Sequence, residues 1–274
     1  FIKNRKIVRK LMRKTCLDMV YELAKKNKKI IFVGSDLGAG VLDKFKKNIP
    51  DRFFMEGISE QYITGMVSGL AMEGFIPYVN TIATFLTRRN FEQNIIDLGL
   101  HKLPVRLIGN GGGLVYAPLG PTHQAIEDIA IMRAIPNMMV LAPCDAYEMK
   151  KIMPQTVNIQ GPIYIRLARG GDKIVTNKIK NIKIGKAISF GDSKDILFVT
   201  TGIMTQECLE VVEKLKLRNI KAGVLHNTTI KPFDEASLIK ASKKTKLIFT
   251  VEEHIVSGGL GSTVLETLNK KNSS

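Results

Sequence analysis

Short apolar runs alternate with segments of helical periodicity along most of this chain, and the alternation restricts the fold more than any other feature. Ile30-Ile-Phe-Val33, Arg52-Phe-Phe-Met55, Ile76-Pro-Tyr-Val-Asn80, Val105-Arg-Leu-Ile108, Met138-Met-Val-Leu141 and Ile163-Tyr-Ile-Arg-Leu167 have strand length, and the most apolar of them suit burial on both faces. Ahead of them, Val8, Leu11, Met12, Thr15, Met19, Val20, Leu23 and Ala24 recur at helical spacing, with Arg9, Arg13, Lys14, Lys25 and Lys26 between, which predicts an amphipathic first helix. Further helices are predicted over Glu60 to Glu73, Thr84 to Leu100, His123 to Ala134 and Ala146 to Gln155. Strands joined by crossover helices make a parallel sheet wound on both faces, with ligand chemistry at the carboxyl ends of its strands.

The polar, Gly/Lys-rich stretch Arg169 to Lys183 predicts a linker. A smaller α/β unit follows: strands at Ile196-Leu-Phe-Val-Thr200, Lys221-Ala-Gly-Val-Leu225 and Leu247-Ile-Phe-Thr-Val251, helices at Met204 to Leu217, Asp234 to Ala241 and after Gly258-Gly259. The expected fold is therefore α/β, a doubly wound parallel sheet over 1–172 and a smaller α/β domain over 173–274. Gly258-Gly-Leu-Gly-Ser262 lacks the full glycine fingerprint of a nucleotide loop and reads as a close strand-to-helix turn.

Composition narrows the class. With 274 residues and 45% hydrophobic content the chain can bury a sizeable core. No run approaches the roughly 18 apolar residues of a membrane span, and Lys and Arg break the N-terminal stretch too often for a signal peptide, so a cytoplasmic location is expected. Cys16, Cys144 and Cys208 lie far apart with no Cys-x-x-Cys pair, which argues for reduced structural thiols rather than a zinc site or disulfide framework. A formal charge of +16 fits either a nucleic-acid surface or a solvated Lys-rich surface that favours anionic metabolites. The Lys residues are scattered over many segments without aromatic interleaving, so the second reading is preferred.

Candidate functional residues follow from position. Glu60 opens a helix after a strand, Asp36 and Phe85 each follow a strand, Arg88 and Phe91 lie just beyond Phe85, and His123 follows the Gly-rich loop Gly109 to Gly120. Each has a structural alternative: Glu60 as a first-turn acid favoured by the helix dipole, Asp36 as a turn residue, Phe85 and Phe91 as core. Their convergence on one sheet edge is what favours function, and a long loop within a compact domain is more often functional than idle.

Together these segments resemble a known family. Gly57-Ile-Ser-Glu60-Gln61, Gly69-Leu-Ala, Thr84-Phe-Leu86, Gly120-Pro-Thr-His123-Gln124 and Glu127-Asp-Ile-Ala with Arg133-Ala-Ile-Pro-Asn137 are similar to the pyrimidine-binding domain of transketolases. Thr229-Ile-Lys-Pro-Phe-Asp234, Val251-Glu-Glu-His254 and Gly258-Gly-Leu-Gly resemble the C-terminal domain shared by transketolase, deoxyxylulose-phosphate synthase and beta subunits of 2-oxoacid dehydrogenases. The resemblance covers essentially the whole chain.

It implies a thiamine diphosphate cofactor, whose pyrimidine ring the Glu at position 60 bonds so as to favour the imino tautomer. It also implies that Asp36, Ile58, Phe85, Arg88 and Phe91 surround that cofactor, that His123 handles protons on sugar hydroxyls, and that Arg169 in Leu167-Ala-Arg-Gly170 binds substrate phosphate. The alternative for Arg169 is a surface Arg at a strand end. Full-length members hold magnesium and the diphosphate with a Gly-Asp-Gly motif in an N-terminal half. Here Gly171-Asp172 and Gly191-Asp192 are followed by Lys and Ser, so the chain resembles the C-terminal subunit of a split transketolase. A separate N-terminal subunit carrying the diphosphate and Mg2+ is then expected, in a dimer of heterodimers, with no metal ligands in this chain and no nucleic-acid or membrane partner.

Three departures bear on the substrate. Counting back from His123, Gly111 and Leu119 stand where transketolases carry a phosphate-holding His and a hydroxyl-reading Asp, and Gly40 replaces a phosphate-binding Ser. Leu cannot accept a hydroxyl hydrogen bond, so a modified sugar, such as a deoxy or amino sugar or one lacking a terminal phosphate, is expected. The alternatives are a 2-oxoacid dehydrogenase beta subunit or deoxyxylulose-phosphate-synthase-like enzyme and, more remotely, a non-catalytic basic binding protein.

Overall fold

The structure is a computed structural model that describes residues 9–35, 42–168 and 172–272. Its strands in chain order are β1 (Arg9–Lys10), β2 (Ile30–Ser35), β3 (Phe53–Glu56), β4 (Ile76–Ile82), β5 (Arg106–Asn110), β6 (Met139–Leu141), β7 (Ile163–Leu167), β8 (Asp172–Lys173), β9 (Ile188–Gly191), β10 (Ile196–Thr200), β11 (Ala222–His226), β12 (Thr229–Lys231) and β13 (Leu247–Val251). The large sheet has the order β12-β6-β7-β5-β4-β2-β3, parallel throughout except where β12 meets β6. A second sheet has the order β13-β10-β11-β9, with β9 antiparallel. This is the α/β fold that the alternation of runs predicts.

Burial explains the sheet's apolar strands. Along β2, Ile30 and Phe32 enter one core cluster while Ile31 and Val33 enter the other, because successive side chains point to opposite, equally covered faces. The helix Met12–Lys26 covers the first face with Met12, Cys16, Leu17, Val20 and Ala24. The helix Glu60–Met72 covers the second with Ile63, Val67 and Ala71. Each fully buried aliphatic side chain of this kind contributes about 1.5–3 kcal/mol. Among the described residues no helix is long and apolar enough to cross a membrane.

Two predicted helices differ from the expectation. The helix expected over Thr84 to Leu100 is broken into Ala83–Thr87, Phe91–Gln93 and a π-helical turn Asn94–Leu100. Polar side chains divert it: the Asn94 amide donates to the Leu86 carbonyl at 2.7 Å, and Gly99 packs so closely on Ile135 and Pro136 that an added Cβ would lie 2.9 Å from each. The helix expected from His123 begins only at Asp128. Before it, the chain turns back on itself, the His123 N–H donating to the Gly120 carbonyl at 3.0 Å.

The expected linker is not free chain. β8 pairs with β1, and the N–H groups of Val175 and Thr176 donate to Asp145 Oδ2 at 2.7 and 2.8 Å. Strands β1, β8, β9 and β12 are additions to the predicted set, and β12 carries the second half of the chain onto the edge of the first sheet. Near it, Glu148 accepts from the Cys144 N–H at 2.6 Å, from His226 Nε2 at 3.0 Å and from the Thr228 hydroxyl. His226 Nδ1 meets the Thr205 hydroxyl at 2.7 Å, so this buried junction is closed by hydrogen bonds.

Candidate active site

Glu60 is the first residue of its helix, reached by a short turn from β3, and its side chain is only 1% exposed. A buried carboxylate needs partners. Ser35, the last residue of neighbouring β2, donates its hydroxyl to Oε1 at 3.2 Å, and Arg89 pairs with Oε2. Both strands end at this edge in register, Ser35 opposite Glu56. Parallel pairing thus puts a carboxylate and a hydroxyl at the carboxyl edge of the sheet.

Phe85 sits in the helix Ala83–Thr87 that directly follows β4. The Arg89 guanidinium lies 4.1 Å from its ring centroid, and the His123 ring approaches it edge-on at 5.2 Å. Tyr116 meets the other side of His123 at 6.4 Å and 90°. Glu60, Arg89, Phe85, His123 and Tyr116 therefore form a continuous line. His123 Nδ1 contacts the Thr122 hydroxyl at 2.8 Å, and Thr84 donates to the Thr122 carbonyl at 2.8 Å, which ties the histidine turn to the helix that carries Phe85.

The other predicted residues divide. Arg88 pairs with Glu127 and donates to the carbonyls of Pro121, at 2.8 Å, and Gln124, so its fork clamps the turn that holds His123. Phe91 is half-buried against the core. Ile58 stands 72% exposed at the entrance to the Glu60 helix. Asp36, Gly40 and Arg169 lie outside the described residues.

The loop before His123 shows why its glycines are needed. Gly111 has φ +79°, and a Cβ there would lie 2.2 Å from Tyr116 Cε2: the tyrosine ring occupies the space a side chain at 111 would use. Leu119 is 58% exposed. Glu253, from the second domain, accepts from the Leu114 N–H at 2.8 Å, and a Cβ on Gly113 would collide with its carboxylate. Beneath the loop, Arg166 donates to Asp128 at 2.8 Å and to the carbonyls of Ala125 and Glu253. Burial alone would lower the Arg166 pKa, but the charge and hydrogen bond of Asp128, with the neighbouring Tyr164 and Glu253, together raise it. Burial and the same carboxylate hold the Tyr164 phenol well above its usual range.

Ser35, Arg89, Tyr116 and Glu253 touch the candidate site residues or their loop and were not predicted to do so from the sequence. Arg89 had a weak signal, a second basic residue beside Arg88, but which of two adjacent arginines reaches a carboxylate depends on how the chain turns after Thr87.

Glu60 and Phe85 together offer an acceptor and an aromatic face that suit a planar group bearing nitrogen atoms, as the Arg89 guanidinium that now contacts both illustrates. Among the described residues, the metal-capable grouping is Cys144, Glu148 and His226, wholly buried. Burial and the nearby carboxylates push the Cys144 thiol up, and both Glu148 oxygens are already hydrogen-bonded, so the donor set does not suit a hard cation such as Mg2+.

Comparison with known proteins gives two family matches along the chain. The family model described as "Transketolase, pyrimidine binding domain" matches residues 9–171, and "Transketolase, C-terminal domain" matches residues 185–273. The chain is 34% identical over 260 residues to a protein of Clostridium sp. named as a 6-deoxy-6-sulfo-D-fructose transketolase subunit, covering 94% of this chain and 81% of the relative. It is 35% identical over 260 residues to one of the apulose-4-phosphate transketolase subunits of Phocaeicola vulgatus, covering 94% and 83%. A 1-deoxy-D-xylulose-5-phosphate synthase of Caldanaerobacter subterraneus is 36% identical over 253 residues, of which this chain spans 40%. A solved structure titled "Split gene transketolase, inactive beta4 tetramer" matches with a TM-score of 0.88 at 35% identity, covering 95% of this chain and 86% of that one.

Proposed function

This chain belongs to the transketolase family, and from that premise we propose that it is the C-terminal subunit of a two-subunit, thiamine-diphosphate-dependent enzyme that transfers a two-carbon ketol unit between sugars. The observation that carries this reading is the line from buried Glu60 through the Phe85 ring to His123 at one sheet edge. Bound thiamine diphosphate supplies the carbon nucleophile that carries the transferred unit. Glu60 would bond the cofactor's pyrimidine nitrogen and hold a proton there, in a site where burial strengthens the bond. Phe85 would lie against the ring face, with Asp36, Ile58 and Phe91 around it. Arg88 orients the turn, and His123 gives and takes protons at a sugar hydroxyl. Arg169 would meet a phosphate or other anionic end.

The metal and diphosphate are assigned to a separate N-terminal subunit, with two copies of each subunit assembled as a dimer of heterodimers in the cytoplasm. Relatives named as transketolase subunits at similar length support the split. The substrate is proposed to be a modified sugar. Tyr116 fills the space beside Gly111, and Leu119 presents an apolar side chain, so neither position offers the polar contact expected for an ordinary sugar phosphate. The relatives' names, with 6-deoxy-6-sulfo-D-fructose in one and apulose-4-phosphate in the other, point the same way.

Co-purification with the N-terminal subunit, followed by assay of the pair against a panel of ketoses and aldoses, tests the reading. Activity confined to modified sugars is expected. Equal activity on ordinary pentose and hexose phosphates would refute the substrate assignment, and decarboxylation of pyruvate would replace ketol transfer with the reaction of a 2-oxoacid dehydrogenase beta subunit.

A further inference from the structure

Arg89 has no role in the reading above, yet it makes the closest contacts to both of that reading's cofactor-facing groups. Its guanidinium pairs with Glu60 Oε2 and lies 4.1 Å from the centroid of the Phe85 ring. A guanidinium is a planar cation with N–H donors along one edge and a face that stacks on aromatic rings. An aminopyrimidine offers the same combination: ring nitrogen and exocyclic amine on one edge, and a flat face. One carboxylate oxygen and one ring face cannot serve both at once.

We infer that Arg89 is a gate on the cofactor site, competing with the cofactor's aminopyrimidine for Glu60 and Phe85 and leaving when the ring binds. The inference rests on the proposed reading of Glu60 as the pyrimidine-binding acid.

The surrounding geometry separates what can move from what cannot. The Glu60 side chain is 1% exposed, whereas that of Arg89 is 38% exposed, so Arg89 reaches its partner from the solvent side. Its backbone is fixed: the Arg89 carbonyl accepts from the Gln61 side chain at 2.9 Å, and the buried Asn90 amide meets the Thr64 hydroxyl at 2.6 Å. A side-chain rotation therefore opens the gate without disturbing the helix that carries Glu60. Arg88 cannot substitute, because its fork is committed to Glu127, Pro121 and Gln124. Ser35 bonds Oε1, the oxygen that Arg89 does not use. The ion pair gives a buried carboxylate a partner, without which its burial would be costly, and makes ring binding pay for displacement of the arginine.

The test is calorimetric titration of thiamine diphosphate with Mg2+ into the assembled two-subunit enzyme, comparing wild type, Arg89→Ala, Arg89→Gln and Glu60→Gln. Removing a half-exposed competitor worth about 1 kcal/mol should tighten the Arg89→Ala dissociation constant about fivefold. Arg89→Gln, which keeps a hydrogen bond to Glu60 but loses the charge and the fork, should fall between Ala and wild type. Thermal melts give a second readout: Arg89→Ala should lower the melting temperature without cofactor and show a larger rise on adding it. Unchanged or weaker binding in both Arg89 variants, with Glu60→Gln still impaired, would overturn the gate and leave the site reading intact. Unimpaired binding by Glu60→Gln would overturn the reading on which the gate depends.

Discussion

Glu60 and Glu148 are both buried acids, but their partners differ in kind. Glu60 has Ser35 on one oxygen and, on the other, Arg89, whose side chain reaches solvent. Glu148 is enclosed by Cys144, His226 and Thr228. Burial pushes the Glu148 carboxyl up, but the His226 charge and these hydrogen bonds prevail and hold it below its usual 4.5. A group whose pKa is depressed by folding contributes stability that is present above the unfolded value and is lost as pH falls through the folded value. Glu148→Gln should therefore cost about 3 kcal/mol near neutrality, as breaking a buried pair does, and flatten the acid limb of the stability curve below pH 4.5, measured by denaturant unfolding across pH. For His123→Ala, ketol-transfer turnover should fall roughly 10²-fold or more while cofactor affinity holds, a split read by pairing steady-state kinetics with calorimetry.

At the scale of elements, apolar runs such as Ile30 to Val33 were legible as strands because a sheet buried on both faces leaves no room for alternation. The placing of Glu60 at a helix start after β3 and of His123 at the end of the Gly-rich loop after β5 was legible from the motifs around them. Where the reading failed, tertiary contacts overrode local pattern. Asn94 and Gly99 divert the predicted long helix, and β12 pairs with β6, far away in sequence. Arg89, Tyr116 and Glu253 are reachable only once loops are closed. The second-domain motif Val251-Glu-Glu-His254 proves to be a fastening: Glu252 caps the helix Leu260–Asn272, and His254 Nε2 accepts from the Ala130 N–H at 3.2 Å. Gly259 leaves room for it, since a Cβ there would lie 2.3 Å from Glu252, in keeping with the close strand-to-helix turn expected. Asp145 plays the matching part upstream, capping the helix Ala146–Ile152 through the Glu148 N–H at 2.8 Å while holding Val175 and Thr176. Asp145→Ala strands these buried donors and should destabilise the chain by about 2–4 kcal/mol in urea unfolding.

For the whole molecule, charge and incompleteness set the expected behaviour. A chain at +16 attracts anionic sugars and the cofactor's diphosphate over the Debye length, so the KM for a charged sugar should rise between low salt and about 0.2 M salt. The exposed Ile58 close to the buried Glu60 is the kind of surface a second subunit would cover. The account turns on Glu60 working within an assembled pair, and one measurement addresses it: ketol transfer by this chain reconstituted with its N-terminal subunit, wild type against Glu60→Ala. Loss of turnover by roughly 10²–10⁴-fold, with assembly intact by size-exclusion chromatography, is the predicted result. Undiminished turnover in the Glu60→Ala pair would contradict it.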